Sequence, residues 1–377
     1  MKRSFIREIL EHTNSETISF AGGLPDASLF PNKALRKSAC RVLKQTNVLQ
    51  YGTSTGYEPL KEKIAEMYTK DGFETTSDNI LITSGSQQAL DIISRFHSSK
   101  KITIESPSYL GAMNIFSLNN LMQDSVMMKK SGLDIKAFHD SFKSTKLAYL
   151  IPDFQNPTGI TYSLKKREKI ANIIQKHDGL IIEDSPYSKL YFKKEYKSIS
   201  SMIPNHSYHL GSFSKTLAPA LRIGWIRASK ELIQPLVAYK EAMDLHTNGL
   251  VQSLLNDYLS NQNHYDMHMK LLRKKYNKKM QFFSKTLDKE LPEFVYKKPK
   301  GGMFIYGEFL NINTSLLVQE CLKKGVVFVP GIEFYTDNKN RNQIRFNFTN
   351  SSKKDVEIGL NIIRKVIEKR VKTKLYV

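Results

Sequence analysis

The chain has 377 residues, 40% hydrophobic and 25% charged, a balance that suits a soluble enzyme with a large core and two lobes. Its formal net charge is +21. The basic residues are spread along the chain without zinc-finger spacing, a basic zipper or a helix-turn-helix, so attraction of anionic metabolites is expected and nucleic-acid binding as a main role is not. Cys40 and Cys321 are the only cysteines, and they form neither a metal-ligand pattern nor a disulfide framework, which points to a metal-free protein in a reducing cytoplasm. Glu8, Glu11 and His12 interrupt any signal-peptide core, and no apolar run reaches membrane-spanning length.

The first thirty residues read as an arm, with a short amphipathic helix followed by the turn-rich Phe20-Ala21-Gly22-Gly23-Leu24-Pro25-Asp26. In that helix Arg7 lies beside Phe5 and Ile6. It is either a solvated charge or a partner for the far end of an acidic ligand. Further on, β-rich runs are expected at 79–83, 101–105, 146–151, 179–183, 208–212 and 223–228, with helical patterns at 59–70, 86–98, 164–177 and 230–259. Such alternation predicts an α/β fold whose mostly parallel sheet is covered on both faces. Ligands gather at the carboxyl ends of such strands. A Lys- and Met-rich helix follows at about 263–287. Short strands at 294–298, 303–309, 326–329 and 343–348, with helices at 315–324 and 353–368, complete a smaller α+β lobe. The expected division is an arm at 1–30, a large domain at 31–275 and a small domain at 276–377.

Chemistry concentrates after the expected strands. Lys215 stands in Gly211-Ser212-Phe213-Ser214-Lys215-Thr216, with Leu221-Arg222-Ile223-Gly224 downstream. An amine held among hydroxyls and an arginine suits a nucleophile kept beside a phosphate, the arrangement that pyridoxal 5'-phosphate (PLP) needs from its lysine. A solvated lysine in a Ser-rich turn is the plainer alternative. Gly85-Ser86-Gln87-Gln88 follows a strand and opens a helix, so free N–H groups and the helix dipole favour an anion there. Ser86 could equally be a simple N-cap. Ser212, Ser214 and Arg222 complete a phosphate cup.

Asp184 ends an apolar run and can hold a pyridine nitrogen protonated. Tyr187 and Asn156 can hydrogen-bond the ring's 3-oxygen, although Asn156-Pro157-Thr158-Gly159 also reads as an ordinary turn. Tyr109 is either a core aromatic or a ring that stacks on the pyridine. Arg345, inside the alternating run Ile344–Phe348, is either outward and solvated or a carboxylate clamp.

In this order the segments resemble the fold-type-I PLP aminotransferases of class I and II, within them the branch of 2-aminoadipate, kynurenine and aromatic aminotransferases. The resemblance spans almost the whole chain, from Ser4-Phe5-Ile6-Arg7-Glu8 through Thr83–Leu90, Glu105–Ala112, Pro152–Gly159, Glu183–Tyr187 and Gly211–Trp225 to Pro299–Phe304 and Ile344–Phe348. It implies a seven-stranded, mostly parallel sheet in the large domain. It also implies a homodimer in which Tyr51 crosses the interface to the partner's PLP phosphate. Lys215, Asp184 and Tyr187 take the catalytic roles, and the substrate meets Gly22, Asn156 and Arg345. Arg7 and Ser4 match positions that touch the far end of the substrate in 2-aminoadipate relatives.

The implied activity is transfer of an amino group from an aromatic or 2-aminoadipate-like amino acid to a 2-oxo acid such as 2-oxoglutarate, by a ping-pong route. A PLP-dependent lyase or decarboxylase on the same scaffold is an alternative. An effector-binding regulatory module is another, though the start of the arm at residue 4 leaves no room for a DNA-binding domain before it. Three departures from the pattern bear on the pocket: the short leader, Ser185 in place of a second acidic residue, and Asn248-Gly249 where relatives carry a bulkier pair.

Overall fold

The computed structural model describes residues 16–98, 100–337, 339 and 342–374. Its larger sheet uses strands β2 Ile80–Thr83, β3 Lys101–Ser106, β4 Met122–Lys129, β5 Gly132–Leu133, β6 Leu147–Leu150, β7 Leu180–Asp184, β8 Ser207–Ser212 and β9 Gly224–Arg227. They lie in the order β2-β9-β8-β7-β6-β3-β4-β5. The run from β8 through β7, β6 and β3 to β4 is parallel, while β9, β2 and the two-residue β5 pair antiparallel. Without β5 the sheet has the seven strands expected of the fold.

Central strands such as Leu147–Leu150 and Ser207–Ser212 are buried at every position. That is why Leu147-Ala148-Tyr149-Leu150 reads as a continuous rather than an alternating apolar run. Helices such as Ser86–Phe96, which buries Ala89, Leu90, Ile92 and Ile93, supply the cover.

The expected single helix at 230–259 is two helices, Lys230–Asp244 and Gly249–Leu259. Leu245 turns the chain with φ +60°, and the Asn248 side chain caps the second helix by accepting from the Val251 amide at 3.0 Å. Strand β4 and the helices Asn32–Val42, Leu110–Leu118 and Ile135–Thr145 were not expected from the sequence.

The helix Gln262–Glu290 leads into a second sheet of β10 Val295–Tyr296, β11 Phe304–Glu308, β13 Val329–Pro330 and β14 Gln343–Asn347, all antiparallel in the order β10-β11-β14-β13. The arm joins this lobe. β1 Ile18–Ser19 runs parallel to β12 Val326–Val327, and Phe20 is buried edge-on to Phe283 and Phe346 at 5.3 and 6.0 Å. This pairing carries residues 21–24 across the carboxyl ends of the larger sheet's parallel strands.

Candidate active site

A cavity of about 750 Å³ opens at those strand ends. Its lining includes Gly22, Ser86, Gln87, Tyr109, Asn156, Asp184, Tyr187, Ser212, Ser214, Lys215, Arg222 and Arg345. Stretches of chain that are far apart in sequence therefore converge on one space. Tyr51 lies elsewhere. Its ring is 79% exposed and edge-on to His246 at 5.8 Å. Arg7 and Ser4 fall outside the described residues.

Asp184 ends β7 with its carboxylate buried. One oxygen, Oδ2, accepts from the Tyr149 hydroxyl at 2.8 Å, while Oδ1 is buried without a hydrogen-bond partner. Burial pushes this carboxyl up to about 6, against the pull of Tyr149 and Lys215. Tyr149 lies mid-strand on β6 among apolar residues, with its ring edge-on to Phe116 at 5.2 Å.

Lys215 follows β8 after a tight turn in which the Ser214 amide donates to Ser212 Oγ at 3.0 Å. The lysine is largely buried rather than solvated. Burial, with Arg345 and Arg222 nearby, pushes its amine down to about 8, and Asp184 opposes the shift. Its Nζ donates to the Gly23 carbonyl at 2.7 Å.

Gly85, not Ser86, caps the helix Ser86–Phe96, so the simple N-cap reading of Ser86 is corrected. The Ser86 hydroxyl is buried without a partner. Gly85 has φ +85°, and a Cβ there would stand 2.6 Å from an Arg222 guanidinium nitrogen. Only glycine allows both the turn and the close packing of that guanidinium. Arg222 donates to the Ser84 carbonyl at 2.9 Å, which holds it at the same helix start.

Arg345 is 1% exposed, which excludes the solvated reading. Its guanidinium lies 4.3 Å from the Phe304 ring centre and 5.1 Å from that of Phe334. It donates to Asn156 Oδ1 at 2.8 Å and to the Ala21 carbonyl, while its Nε is buried without a partner. Burial lowers its proton affinity to about 10, still far above neutrality, so the cation persists. Tyr187 is buried edge-on to Phe304 at 5.7 Å, and burial holds its hydroxyl well above the ordinary range.

Tyr149, Asn347 and Thr349 escaped the sequence reading. Asn347 donates to the Gly22 carbonyl at 2.5 Å and to the Leu24 carbonyl at 3.0 Å. Thr349 donates to Leu24 as well, at 2.9 Å. Arg345, Asn347 and Thr349 alternate along one strand and its extension, and that spacing of polar residues was the available signal.

Unpartnered buried polar atoms at Asp184 Oδ1 and Ser86 Oγ, with a buried amine between them and the arm, are what a bound group with a cationic ring and an anionic end would satisfy. The residues present fit PLP.

The family model for class I and II aminotransferases matches residues 18–363. The chain is 33% identical to aromatic-amino-acid aminotransferase 1 of Thermococcus litoralis, covering 99% of this chain and 93% of the relative. Among solved structures it is similar to the α-aminoadipate aminotransferase of Thermus thermophilus complexed with N-(5'-phosphopyridoxyl)-L-leucine, with TM-score 0.91, 31% identity and coverage of 99% and 96%. It is equally similar to the kynurenine aminotransferase of Pyrococcus horikoshii, with TM-score 0.92, 30% identity and coverage of 98% and 95%. Matched nearly end to end by family model, sequence and fold, the chain belongs to the class I and II aminotransferases, the PLP-dependent enzymes of fold type I.

Proposed function

We propose that this aminotransferase takes the amino group of an aromatic or 2-aminoadipate-like amino acid and passes it to 2-oxoglutarate, in two half-reactions that share one site. The observation that supports this most is the meeting of Lys215, Asp184 and Arg345 in one cavity. An amine, a ring partner and a carboxylate clamp are thereby in reach of a single small molecule. The relatives are an aromatic, an α-aminoadipate and a kynurenine aminotransferase, which supports the substrate class.

Bound PLP supplies a carbonyl that takes up amino groups and a cationic ring that draws electrons from the substrate Cα. Asp184, with Oδ2 held by Tyr149 and Oδ1 free of other partners, would keep the ring nitrogen protonated. Ser86, Gln87, Ser212, Ser214 and Arg222 would hold the phosphate, Tyr109 would pack against the ring, and Tyr187 and Asn156 would hydrogen-bond its 3-oxygen. Arg345 receives the α-carboxylate in exchange for its internal acceptors, with Gly22 alongside. Lys215 Nζ, neutral above about 8, removes the proton from the substrate Cα and returns it on the other side of the reaction.

In this reading the chain divides into an arm at 1–30, a large domain at 31–275 and a small domain at 276–377. The enzyme works in the cytoplasm as a homodimer, with Tyr51 reaching the second copy's phosphate. The high exposure of the Tyr51 ring supports that role, since a second copy could cover it. Arg7 meets the distal carboxylate of acidic substrates.

The test is a donor panel of phenylalanine, tyrosine, kynurenine, 2-aminoadipate, leucine, glutamate and aspartate with 2-oxoglutarate, with products identified. Amino transfer from the aromatic donors or 2-aminoadipate is expected. Use of aspartate alone, or release of carbon dioxide in place of a 2-oxo acid, contradicts the reading.

A further inference from the structure

Glu105 has no part in the reaction above, yet it is a fully buried carboxylate one residue from the end of β3. Both its oxygens lie 3.3 Å from the Ile151 amide. Oε2 accepts from Gln155 Nε2 at 3.1 Å, and Oε1 accepts a short bond from the Tyr162 hydroxyl. These three donors sit at the start, middle and end of the segment 151–162. Gln155 extends the network. Its Nε2 also donates to the Pro107 carbonyl at 2.8 Å, and its Oε1 accepts from the Thr158 amide and hydroxyl at 2.9 and 2.7 Å. The turn that carries Asn156 is thus closed around one side chain whose far neighbour is the Glu105 carboxylate. Asn156 and Ile151 both line the cavity, and Asn156 Oδ1 is the acceptor for Arg345.

A loop base could be closed with apolar side chains and no desolvated carboxyl. What a hydrogen-bonded carboxyl group adds is direction, since each partner must come from a fixed angle and the network as a whole specifies one geometry. Burial pushes the Glu105 carboxyl up to about 8 against the pull of Tyr162, Gln155 and Ile151, and the nearby Asp184 pushes it the same way. The site therefore tolerates an unfavourable group at a place where only the loop's position gains.

We propose that Glu105 is a positioning residue for substrate binding: its carboxyl group fixes the 151–162 loop so that Asn156 meets Arg345, and through Arg345 it sets the affinity for the substrate's α-carboxylate. This rests on the reading of Arg345 as the carboxylate clamp.

The test compares Glu105→Leu, Glu105→Gln, Gln155→Met and Arg345→Gln in the PLP-loaded enzyme. Glu105→Leu and Gln155→Met should raise KM for 2-oxoglutarate about tenfold while kcat changes much less, and PLP stoichiometry stays at the wild-type level. Glu105→Gln keeps one carbonyl acceptor and should recover part of the loss. A merely structural role would lower Tm and leave the KM of the folded fraction unchanged. Unchanged KM in folded Glu105→Leu or Gln155→Met overturns the proposal, as does a raised KM seen only with loss of PLP. If Glu105→Leu does not fold, Gln155→Met decides. Unchanged KM in Arg345→Gln overturns the clamp itself, whereas a rise there without one in Gln155→Met overturns only the role of Glu105.

Discussion

The two walls of the cavity are built on opposite plans. On the wall formed by the eight-stranded sheet, buried polar atoms stand without partners, as at Asp184 Oδ1 and Ser86 Oγ. On the wall formed by the arm and the four-stranded sheet, Arg345 Nε also lacks a partner, but the neighbouring carbonyls are already taken. Ala21 accepts from Arg345, Gly22 from Asn347, Gly23 from Lys215, and Leu24 from Asn347 and Thr349. The first wall is set for a resident group and loses little on binding it. In the proposed function the second exchanges internal hydrogen bonds for substrate bonds, so its net affinity should be modest, which suits molecules that enter and leave on every turnover.

Lys215 touches both walls, and its loss is the largest effect expected. Lys215→Ala should abolish turnover, because among the described residues lining the cavity no other offers an amine that is neutral near pH 8. Borohydride reduction followed by intact mass should place the PLP adduct on Lys215 in the wild type and nowhere in the variant. An adduct of the same mass on another lysine would refute the assignment.

The contrast predicts different kinetic signatures for the two walls. Asp184→Ala should lower kcat on the order of 10²–10³-fold with a smaller loss of PLP, since the carboxylate acts most strongly where charge develops. Arg345→Gln should instead raise KM for both the amino acid and the 2-oxo acid, roughly a hundredfold, with PLP retained. Steady-state kinetics on PLP-loaded protein separates them. If both variants changed the same parameter, the division into a resident wall and an exchange wall would fail.

How much of this was legible beforehand differs between the walls for physical reasons. Lys215 and Ser86 follow strands and Asp184 ends one, and polar residues at the end of an apolar run are conspicuous. Tyr149 was invisible because Leu147-Ala148-Tyr149-Leu150 reads as plain core. A tyrosine in the middle of a buried strand still needs a partner for its hydroxyl, and that requirement was the only trace of its role. Arg345 was ambiguous, because one arginine in an alternating strand fits either face. Only the tertiary pairing of β11 and β14, which brings Phe304 under the guanidinium, decides it. The strand β4 was missed because Met122-Gln123-Asp124-Ser125 is largely solvent-facing and carries little apolar pattern. Glu105 stood in a quoted motif without a function, since its donors are some 46 to 57 positions away in sequence.

Tyr149→Phe sharpens the account of the resident wall with a smaller effect. It removes one hydroxyl, keeps the ring packed on Phe116, and leaves Asp184 without its donor. A hydrogen bond to a charged group is worth about 1.5–3 kcal/mol, so kcat should fall about tenfold or somewhat more. The same loss raises the Asp184 carboxyl further, so the acid limb of the kcat profile should move to higher pH. A wild-type profile in Tyr149→Phe would mean that Asp184 does not depend on this neighbour.

The smallest effect is thermodynamic. The Asp184 carboxyl is raised from 3.8 to about 6 in the folded protein. The folded chain therefore holds this proton more tightly than the unfolded chain. Stability from this group is fully present below the unfolded value and is lost as pH rises through about 6, by at most about 3 kcal/mol. A cationic ring nitrogen facing Oδ1 removes that penalty, because the buried anion then has a partner. The rise in Tm on adding PLP to PLP-free protein should therefore be larger at pH 7 than at pH 5. Lys215, pushed down to about 8, adds a pH dependence of its own, but at higher pH. Asp184→Asn has no charge to lose, so it should flatten the dependence between pH 4 and 6 and leave the Lys215 part intact. Equal slopes for the wild type and Asp184→Asn across that window would show that the carboxylate is not what the cofactor relieves, and the resident wall would lose its electrostatic basis.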